Sequence, residues 1–463
     1  MQFTNENNSQ TPVSPEIAEM FDDFVEEARN SYRIPDRAFD SYRVKRGLRE
    51  ADGTGVTAGV TRIGNAHGYV VNEGEKVPDD GKLEYRGYDM SRLVESYAAE
   101  GRYGFEECTY LLFFGELPTA AQLTKFNALL DACRRLPPRY TEDILMKAPC
   151  RSLMNKISTG VLALYSYDED PDTTTLENML RQSVEITARL PVIAGQAYAV
   201  YKNYFCNRSL HIHNPLPELS TAQNFLRVLR SDKSFTEDEA HLLDLCLVLH
   251  AEHGGGNNST FACRVLSSSG TDTYSAISAA VGALKGPRHG GANIKVQQMF
   301  DDIKANVPNT KDDGQLSDYL VKILRGEAYD GSGLIYGMGH PIYTVSDPRA
   351  KMLKRYARDL AFKKGYGDDF ELLESIERLT PKVFCEFKGI DRAMCANIDL
   401  YSGLVYRMLD IPVEMYTPLF AVARVAGWCA HRMEEFSTAH RIIRPGYKCI
   451  EHEREFIPLA DRK

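Results

Sequence analysis

The sequence predicts a mainly α-helical protein of two domains with a short β-hairpin near its N-terminus. The chain has 463 residues, of which 43% are apolar, so it can bury large cores, and this length is typical of two domains. From Met90 onwards, apolar residues recur almost everywhere at helical spacing. Between Val56 and Val77, by contrast, Thr, Val, Ile and Tyr are punctuated by Gly, which is typical of a hairpin.

The N-terminal segment predicts disorder followed by one helix. Residues 1–13 are rich in Asn, Gln, Ser and Thr, a composition that cannot bury a core. Ser14 is suited to cap a helix with Pro15 at its first position. One face of that helix is apolar and consists of Ile17, Met20, Phe21, Phe24 and Ala28. The face can pack on a domain core or on a second subunit, and we assign residues 1–55 to an N-terminal extension.

Helical patterns with plausible capping residues then follow in two groups. The first group covers residues 105–114, 119–133, 151–165, 175–188, 220–230 and 236–250. The second is shorter and more charged, and it covers residues 293–304, 315–325, 348–363 and 369–379. A glycine-rich loop from Gly326 to Gly339 lies inside the second group. We therefore predict a large helical domain of residues 56–285 plus 391–463 and a small helical domain of residues 286–390.

Composition excludes several classes of partner. The formal charge of −9 argues against nucleic acid or an anionic membrane as a general partner. The longest apolar run, Leu419 to Ala430, is too short to span a membrane and is interrupted by Arg424. Ten cysteines are scattered singly, which is typical of a reducing compartment. The polar N-terminus, without arginine in its first ten residues, resembles neither a secretory signal nor a mitochondrial presequence, so we expect a cytoplasmic location.

Three histidines stand where helices are predicted to end. His250 and His253 close the apolar run HLLDLCLVLHAEH and precede three glycines, whereas His289 follows a helix stopped by Gly286 and Pro287. Glycines leave an imidazole open to a ligand. Two other interpretations remain: a buried structural histidine, and half of a zinc site. Zinc needs further ligands, and the sequence contains neither H-E-x-x-H nor C-x-x-C, so we predict no metal.

Three further blocks extend this pattern. They are GMGHPIYTVSDPRA at 337–350, ANIDLYSG at 396–403 and LFAVARVAG at 419–427. In this order, with LEYRGYDMSRLVE at 83–95 and EECTYLLFFGELPT at 106–119, the chain resembles the citrate synthase family from about Gly59 to Pro445. The resemblance implies a two-domain, all-helical fold in which the small domain closes over the large one.

The resemblance also implies a reaction. Family members condense acetyl-CoA with oxaloacetate and hydrolyse the citryl thioester to citrate and CoA, the first step of the tricarboxylic acid cycle, without a tightly bound cofactor. Asp399 matches the base that takes the methyl proton, His289 the histidine that bonds the thioester oxygen, and His340 the histidine that protonates the keto oxygen. Desolvation between Ile398 and Leu400 would make Asp399 a stronger base, although an Asp there can also cap a helix or pair with a cation.

Four residues match the oxaloacetate contacts of the family, namely His253, Arg349, Arg424 and Arg444. Arg424 lies in an apolar helical stretch, where its charge would be costly without an anion. That anion can be a bound carboxylate or a carboxylate of the protein. In the family the arginine that matches Arg444 reaches into the neighbouring subunit's site, so the resemblance implies a homodimer.

The CoA contacts follow the resemblance less closely. The glycine-rich loop is expected to face the adenine end of CoA, through Ser332, Gly333, Gly337 and Gly339. Many bacterial relatives have Arg directly after the histidine that matches His340, whereas this chain has Pro341. Proline cannot bond a phosphate, so the CoA phosphates must find cations elsewhere.

Three alternatives stay open on the sequence alone. The first is 2-methylcitrate synthase, which uses propionyl-CoA and differs by one methylene, worth only about 1–3 kcal/mol of discrimination. The second is a zinc-dependent hydrolase built on His250, His253 and a distant third ligand, which a chelator would inactivate. The third is a non-catalytic CoA-binding homologue, which would release no CoA.

Overall fold

The structure is a computed structural model, and it describes residues 15–50, 54–72, 75–390, 393–438 and 441–462. These residues fall into two compact units, one drawn from Met1–Thr57 and Arg444–Lys463 and the other from Ala58–Ile443. The predicted disorder of residues 1–13 and the capping role of Ser14 lie outside the described residues. The division of the second unit into a large and a small domain stays a prediction.

The described residues of the first unit form two α-helices and short helical turns. Helix α1 is Pro15–Ser31, helix α2 is Asp36–Ser41, and single 3₁₀ turns are formed by Arg46–Leu48 and Leu459–Asp461. The predicted first helix is therefore confirmed. Its apolar face is solvent-exposed in the single chain, since Met20, Phe21 and Phe24 are 61%, 62% and 63% exposed.

A three-stranded antiparallel sheet opens the second unit, and its strands are β1 Gly64–Asn72, β2 Glu75–Tyr85 and β3 Tyr88–Asp89. The predicted hairpin is confirmed, but it lies further along the chain than Val56–Val77. The reason is that Leu83 and Tyr85 alternate inwards at the end of β2, where both are buried and pair with Ala66 and Gly64 of β1.

Helices form most of the remainder of this unit. They are α3 Met90–Glu100, α4 Phe105–Phe114, α5 Ala120–Cys133, α6 Leu153–Ala163, α7 Leu176–Cys206, α8 Thr221–Leu229, α9 Glu237–His250, α10 Asn258–Ser268, α11 Thr273–Leu284, α12 Ala292–Asn306, α13 Asp313–Leu324, α14 Pro348–Lys363, α15 Gly367–Lys388, α16 Asp399–Met408 and α17 Tyr416–Thr438. A π-helical turn, Thr141–Met146, follows α5, and 3₁₀ turns lie at Leu164–Tyr167 and Val413–Met415. The predicted mainly helical class is thus confirmed.

Two helices run past the ends that the sequence predicts. Helix α7 continues to Cys206 instead of stopping at 188, and α15 continues to Lys388 instead of 379. Each contains an internal proline, Pro191 or Pro381, which suggests a boundary because proline removes a helical hydrogen bond. Burial outweighs that loss in α7, where the residues on both sides of Pro191 are almost completely buried.

Helix α17 lies at the centre of the second unit. It is buried over nearly its whole length and contacts α4, α7, α9, α10 and α11. This helix carries Arg424, so the guanidinium is held among packed helices. Across the described ranges, no helix has both the length and the apolar character needed to cross a membrane.

Candidate active site

The predicted substrate residues come from five separate places in the second unit. His253 follows the C-terminal end of α9, and His289 follows α11. His340 and Arg349 lie before and at the start of α14. Asp399 is the first residue of α16, and Arg424 lies in the middle of α17. Arg444 belongs to the first unit and is exposed in the single chain.

Two of the histidines face each other. The ring centroids of His253 and His340 are 5.2 Å apart, with the rings nearly perpendicular. Burial lowers the pKa of His253 well below its usual range, the charges of Arg349 and Arg424 add to this effect, and the nearby His289 acts in the same direction. The described structure therefore brings these five side chains into one cluster.

His340 has a defined proton arrangement. Its Nδ1 atom accepts hydrogen bonds from the backbone N–H groups of Ile342, at 3.1 Å, and Tyr343, at 3.2 Å. Burial, together with the charge of Arg349, lowers the pKa of His340 to about 4, so the ring is neutral at pH 7. A neutral ring whose Nδ1 accepts must carry its proton on Nε2. His340 therefore presents an Nε2–H donor.

Arg349 is fixed by a neighbouring carboxylate. Its Nε and Nη2 atoms donate to Asp347 Oδ1 and Oδ2 at 3.0 and 2.7 Å. Burial alone would lower the pKa of Arg349, but the paired Asp347 raises it above its usual range. Nη2 also lies 3.5 Å from Nε2 of His340. Arg349 therefore stays charged beside the His340 donor, with Asp347 as its counter-ion.

Arg424 is the most unusual side chain in the cluster. It is 0% exposed, and only its Nε donates a hydrogen bond, to the carbonyl oxygen of His250 at 2.5 Å. Within the described part of the chain, neither Nη1 nor Nη2 has a partner. Burial lowers the pKa of Arg424 to about 10, so it remains charged at pH 7. A buried guanidinium with two unpartnered nitrogens is suited to bind an external carboxylate.

A buried carboxylate lies close to this cation. Glu252 is 0% exposed and accepts hydrogen bonds from His431 Nε2 at 2.8 Å and from the Gly254 N–H at 2.5 Å. Burial would raise the pKa of Glu252, but His431 and Arg424 together lower it. Glu252 therefore supplies negative charge near Arg424 without occupying its Nη atoms.

His289 lies beside a serine hydroxyl and the ring of Phe420. Its Nε2 lies 3.0 Å from Ser259 Oγ, which also accepts the indole N–H of Trp428 at 3.2 Å. The Phe420 ring packs against both His289 and the Arg424 guanidinium, with centroid distances of 6.2 and 4.8 Å. Burial lowers the pKa of His289 to about 4, so this imidazole is also neutral at pH 7.

Asp399 opens α16 without acting as a cap. Its carboxylate makes no hydrogen bond to any other described residue, whereas its backbone N–H donates to Asn397 Oδ1 at 2.9 Å. Burial raises the pKa of Asp399 to about 6, although the charge of Arg349 opposes this. A carboxylate that is ionised at pH 7 but more basic than usual is suited to act as a general base.

The loop between α13 and α14, which contains His340, is hydrogen-bonded to the segment that precedes Asp399. Backbone bonds join Gly339 N to Cys395 O at 2.7 Å and Asn397 N to Gly337 O at 2.9 Å. Gly337 has φ +83°, and a side chain there would come within 3.0 Å of the backbone of Leu400. Glycine is therefore required for α16 to approach this loop.

The predicted CoA residues lie in the same loop. Gly333 and Gly339 also have positive φ angles, of +72° and +84°. The Ser332 N–H donates to Asp330 Oδ1, and Ser332 Oγ accepts the Leu334 N–H. These contacts account for the conformation of the loop, and the role of these residues towards CoA stays a prediction.

His250 lies next to this site, where its carbonyl oxygen accepts a hydrogen bond from Arg424, but its imidazole is bonded within α9. The Nδ1–H of His250 donates to Cys246 O at 2.8 Å inside α9, and burial lowers the pKa of His250 to about 3. In the ranges that the structure covers, no three His, Cys, Asp or Glu side chains are grouped so that they could hold a metal ion. The zinc site built on His250 and His253 therefore has no third ligand among them.

Sequence reasoning missed four residues of the cluster: Tyr343, Asp347, Ser259 and Glu252. Asp347 and Tyr343 lie in the block GMGHPIYTVSDPRA around His340, and their place between His340 and Arg349 is a signal that could have identified them. Ser259 and Glu252 come close to His289 and Arg424 only through tertiary folding, and no local pattern indicates those contacts.

Comparison with known proteins gives consistent matches. The sequence model described as "Citrate synthase, C-terminal domain" matches residues 53–446. The citrate synthase of Synechocystis sp. is 34% identical over 409 residues, which cover 88% of this chain and 92% of that protein. The 2-methylcitrate synthase 1 of Corynebacterium glutamicum is 33% identical over 392 residues, which cover 83% and 94%.

Solved structures agree with the sequence matches. One is the ternary complex of carboxymethyl coenzyme A and oxaloacetate with citrate synthase from Thermoplasma acidophilum. It superposes with a TM-score of 0.72 at 28% identity and covers 90% of this chain and 99% of that chain.

Proposed function

The chain belongs to the citrate synthase family, and from this premise we propose that it condenses acetyl-CoA with oxaloacetate and hydrolyses the citryl thioester to citrate and CoA. The observation that carries this proposal is the Arg424 guanidinium, which is completely buried and has two nitrogens without a partner in the described chain. A carboxylate of oxaloacetate would satisfy both nitrogens. Arg349 and His253 would complete the dicarboxylate site. We call Arg424, Arg349 and His253, together with His340, the oxaloacetate half.

The acyl-donor half consists of His289, Ser259 and Asp399. The ionised carboxylate of Asp399 takes a methyl proton of acetyl-CoA, which leaves an enolate. The enolate oxygen accepts a hydrogen bond from neutral His289. The Ser259 hydroxyl can donate its single proton either to His289 Nε2 or to Asn257 Oδ1, which lies 3.0 Å away. When Ser259 donates to His289, the histidine proton lies on Nδ1 and is available to the thioester oxygen.

Carbon–carbon bond formation then needs an acid on the other substrate. The enolate carbon attacks the keto carbon of oxaloacetate, and the alkoxide that forms takes the Nε2 proton of His340, which water restores to that nitrogen during hydrolysis of the thioester. The charges of Arg349 and Arg424 favour negative charge developing on this oxygen. Water then hydrolyses the citryl thioester, which yields citrate and the free thiol of CoA.

Release of free CoA tests the function directly. A thiol reagent should detect CoA from acetyl-CoA only when oxaloacetate is present, and the rate should be unchanged by EDTA. Release without oxaloacetate would indicate a simple thioesterase, loss of activity with EDTA would indicate the zinc hydrolase, and no release would indicate the non-catalytic homologue.

The second candidate is 2-methylcitrate synthase, because a relative of that name is almost as similar as the citrate synthases, at 33% against 34% identity. The ratio of kcat/KM for acetyl-CoA and propionyl-CoA separates the two candidates. A preference for propionyl-CoA would overturn the assignment to citrate.

We also propose a homodimer in which Arg444 serves the site of the neighbouring subunit. Arg424→Ala and Arg444→Ala would then disable one site from different chains. Heterodimers of the two inactive variants should contain one site with both defects and one with neither, so activity should return towards half of wild type. Persistent inactivity, with heterodimers confirmed by native mass spectrometry, would rule out the shared site.

Two further assignments complete the proposal. Ser332, Gly333, Gly337 and Gly339 are proposed to face the adenine end of CoA. A cytoplasmic location is supported by buried thiols such as Cys246, which are typical of a reducing compartment.

A further inference from the structure

Tyr343 lies at the centre of the oxaloacetate half without a role in the reaction described above. Its ring stacks on the His340 ring with a centroid distance of 4.6 Å and an interplanar angle of 22°. Its Oη lies 3.2 Å from Nε2 of His253. The guanidinium carbon of Arg349 is 5.6 Å from the centroid of the same ring. Tyr343 is 1% exposed, so one buried side chain contacts three of the proposed oxaloacetate residues.

The sheet holds Tyr343 in place. A side chain at Gly68 of β1 would come within 3.0 Å of the Tyr343 Cα atom, and one at Gly81 of β2 would come within 2.7 Å of its ring. The hydroxyl of Thr344 also approaches Gly68 O, at 3.4 Å. Two glycines on neighbouring strands therefore leave the space that this residue occupies, and the ring cannot move without displacing the hairpin.

Proton counting limits what the phenol and the imidazole can do. Neutral His253 carries one ring proton and Tyr343 carries one phenolic proton. One of these two protons is used in the bond between Nε2 and Oη, whichever atom donates it. The other remains as a donor, either on Nδ1 of His253 or on Oη of Tyr343. Both arrangements leave one N–H or O–H group for an oxygen of a bound molecule.

We propose that Tyr343 is a positioning residue for oxaloacetate. Tyr343 fixes His253, so that the two side chains together present a single hydrogen-bond donor to the 2-oxo dicarboxylate bound between Arg349 and Arg424. This inference rests on the proposed function, because it assigns a partner to His253 in the same site. Burial raises the pKa of Tyr343 above its usual range, so the phenol remains protonated throughout the working pH range. It therefore neutralises neither arginine and leaves their charge available to the substrate.

The test is Tyr343→Phe, which keeps the stacked ring and removes only the hydroxyl. The KM for oxaloacetate should rise about tenfold, the effect of losing one buried hydrogen bond beside charged groups. The KM for acetyl-CoA should stay within about twofold. Tyr140→Phe is the matched control, because Tyr140 is also buried and donates its hydroxyl to a backbone oxygen, that of Gly160, outside this site. The control should leave both KM values unchanged.

A double-mutant cycle separates positioning from general packing. Since Tyr343 acts through His253, the variant carrying both Tyr343→Phe and His253→Ala should bind oxaloacetate no more weakly than His253→Ala alone. Strictly additive losses, or an unchanged KM for oxaloacetate in Tyr343→Phe, would overturn the inference. Equal rises in both KM values with a lower Tm would assign Tyr343 a structural role only and would also overturn it.

A measurement on the wild type covers the case in which Tyr343→Phe fails to fold. The ¹⁵N signals of His253, assigned by their loss in His253→Gln, should show one protonated ring nitrogen and shift on addition of oxaloacetate. Signals unaffected by saturating oxaloacetate would overturn the inference. If the wild type releases no CoA, the proposed function itself fails, whereas wild-type turnover with an unaffected Tyr343→Phe variant removes only this inference.

Discussion

The two halves of the candidate site differ in how they use charge. The oxaloacetate half contains two guanidiniums buried inside the helical unit: Arg349 is paired with Asp347, and Arg424 has two nitrogens that no described residue contacts. The acyl-donor half contains one carboxyl group, Asp399, and one neutral imidazole, His289. Burial disfavours the charged form in both places. Arg424 nevertheless stays charged at pH 7, because its pKa falls only to about 10, whereas the raised pKa makes Asp399 a stronger base.

This difference separates binding from chemistry. Charge that is fixed and unpartnered favours a bound dianion in the ground state, whereas a raised carboxyl pKa favours proton transfer in the transition state. Substitutions in the two halves should therefore affect different kinetic constants.

The largest effect is expected for Asp399→Asn. The amide keeps the shape of the side chain but cannot accept the methyl proton, so kcat should fall by about 10³-fold, within the usual range for loss of a general base. Oxaloacetate affinity measured by calorimetry should remain within about twofold of wild type. A large loss of oxaloacetate affinity would place Asp399 in the binding half and contradict the division.

Arg424→Met should have the opposite signature. Removing the unpartnered guanidinium should weaken oxaloacetate binding by about 10²-fold, because the substrate carboxylate loses a buried cationic partner. The free energy of unfolding should hardly fall, since Arg424 donates only one hydrogen bond within the described chain.

Arg432 offers a matched control on the same helix. It is 1% exposed, and its guanidinium donates to Thr273, Ser267 and the Thr271 carbonyl. Arg432→Met should lower the free energy of unfolding by about 2–3 kcal/mol, because three buried acceptors lose their donor, and it should leave oxaloacetate affinity unchanged. Equal destabilisation by the two substitutions, followed by urea unfolding, would show that Arg424 is also a structural residue.

The sequence was sufficient to predict the local environment of residues whose neighbours in the chain create it. Asp399 between two apolar residues and Arg424 in an apolar helix are both desolvated, as the pattern indicates, whereas their roles towards the substrates rest on the family resemblance and stay predictions. It was insufficient where the environment comes from elsewhere. Ser259 and His289 are separated by thirty positions, and Tyr343 contacts His253 across ninety. The predicted ends of α7 and α15 were wrong, and for α7 the reason is related, since burial by other helices overrides the local signal of Pro191.

The pH dependence should also divide between the halves. The pKa of Asp399, raised to about 6 by burial, makes the carboxylate ionised and active above that pH and protonated below it. The kcat/KM for acetyl-CoA should therefore fall about tenfold for each pH unit below about 6. His289 and His340, with pKa values of about 4, remain neutral there and should not add to the slope. Oxaloacetate affinity measured by calorimetry should stay flat between about pH 5.5 and 8.5, and a parallel loss below pH 6 would contradict the division.

The smallest effect is expected for Ser259→Ala. Without the hydroxyl, His289 loses the partner of its Nε2 atom and its proton is no longer directed to Nδ1, so kcat should fall about tenfold while the KM for oxaloacetate stays constant. Trp428 is the only tryptophan in the chain and donates to the same hydroxyl, so a change in its fluorescence emission should accompany the substitution.

Ser402→Ala is the control for this last substitution. Ser402 is fully buried one turn after Asp399, and among the described residues its hydroxyl has no hydrogen-bond partner. Its removal should therefore leave kcat, KM and the fluorescence of Trp428 unchanged. If Ser259→Ala instead raised the KM for oxaloacetate with kcat intact, Ser259 would act through the neighbouring cation site rather than through His289. Ser259 would then belong to the oxaloacetate half, with Phe420 and Arg424, which pack against each other.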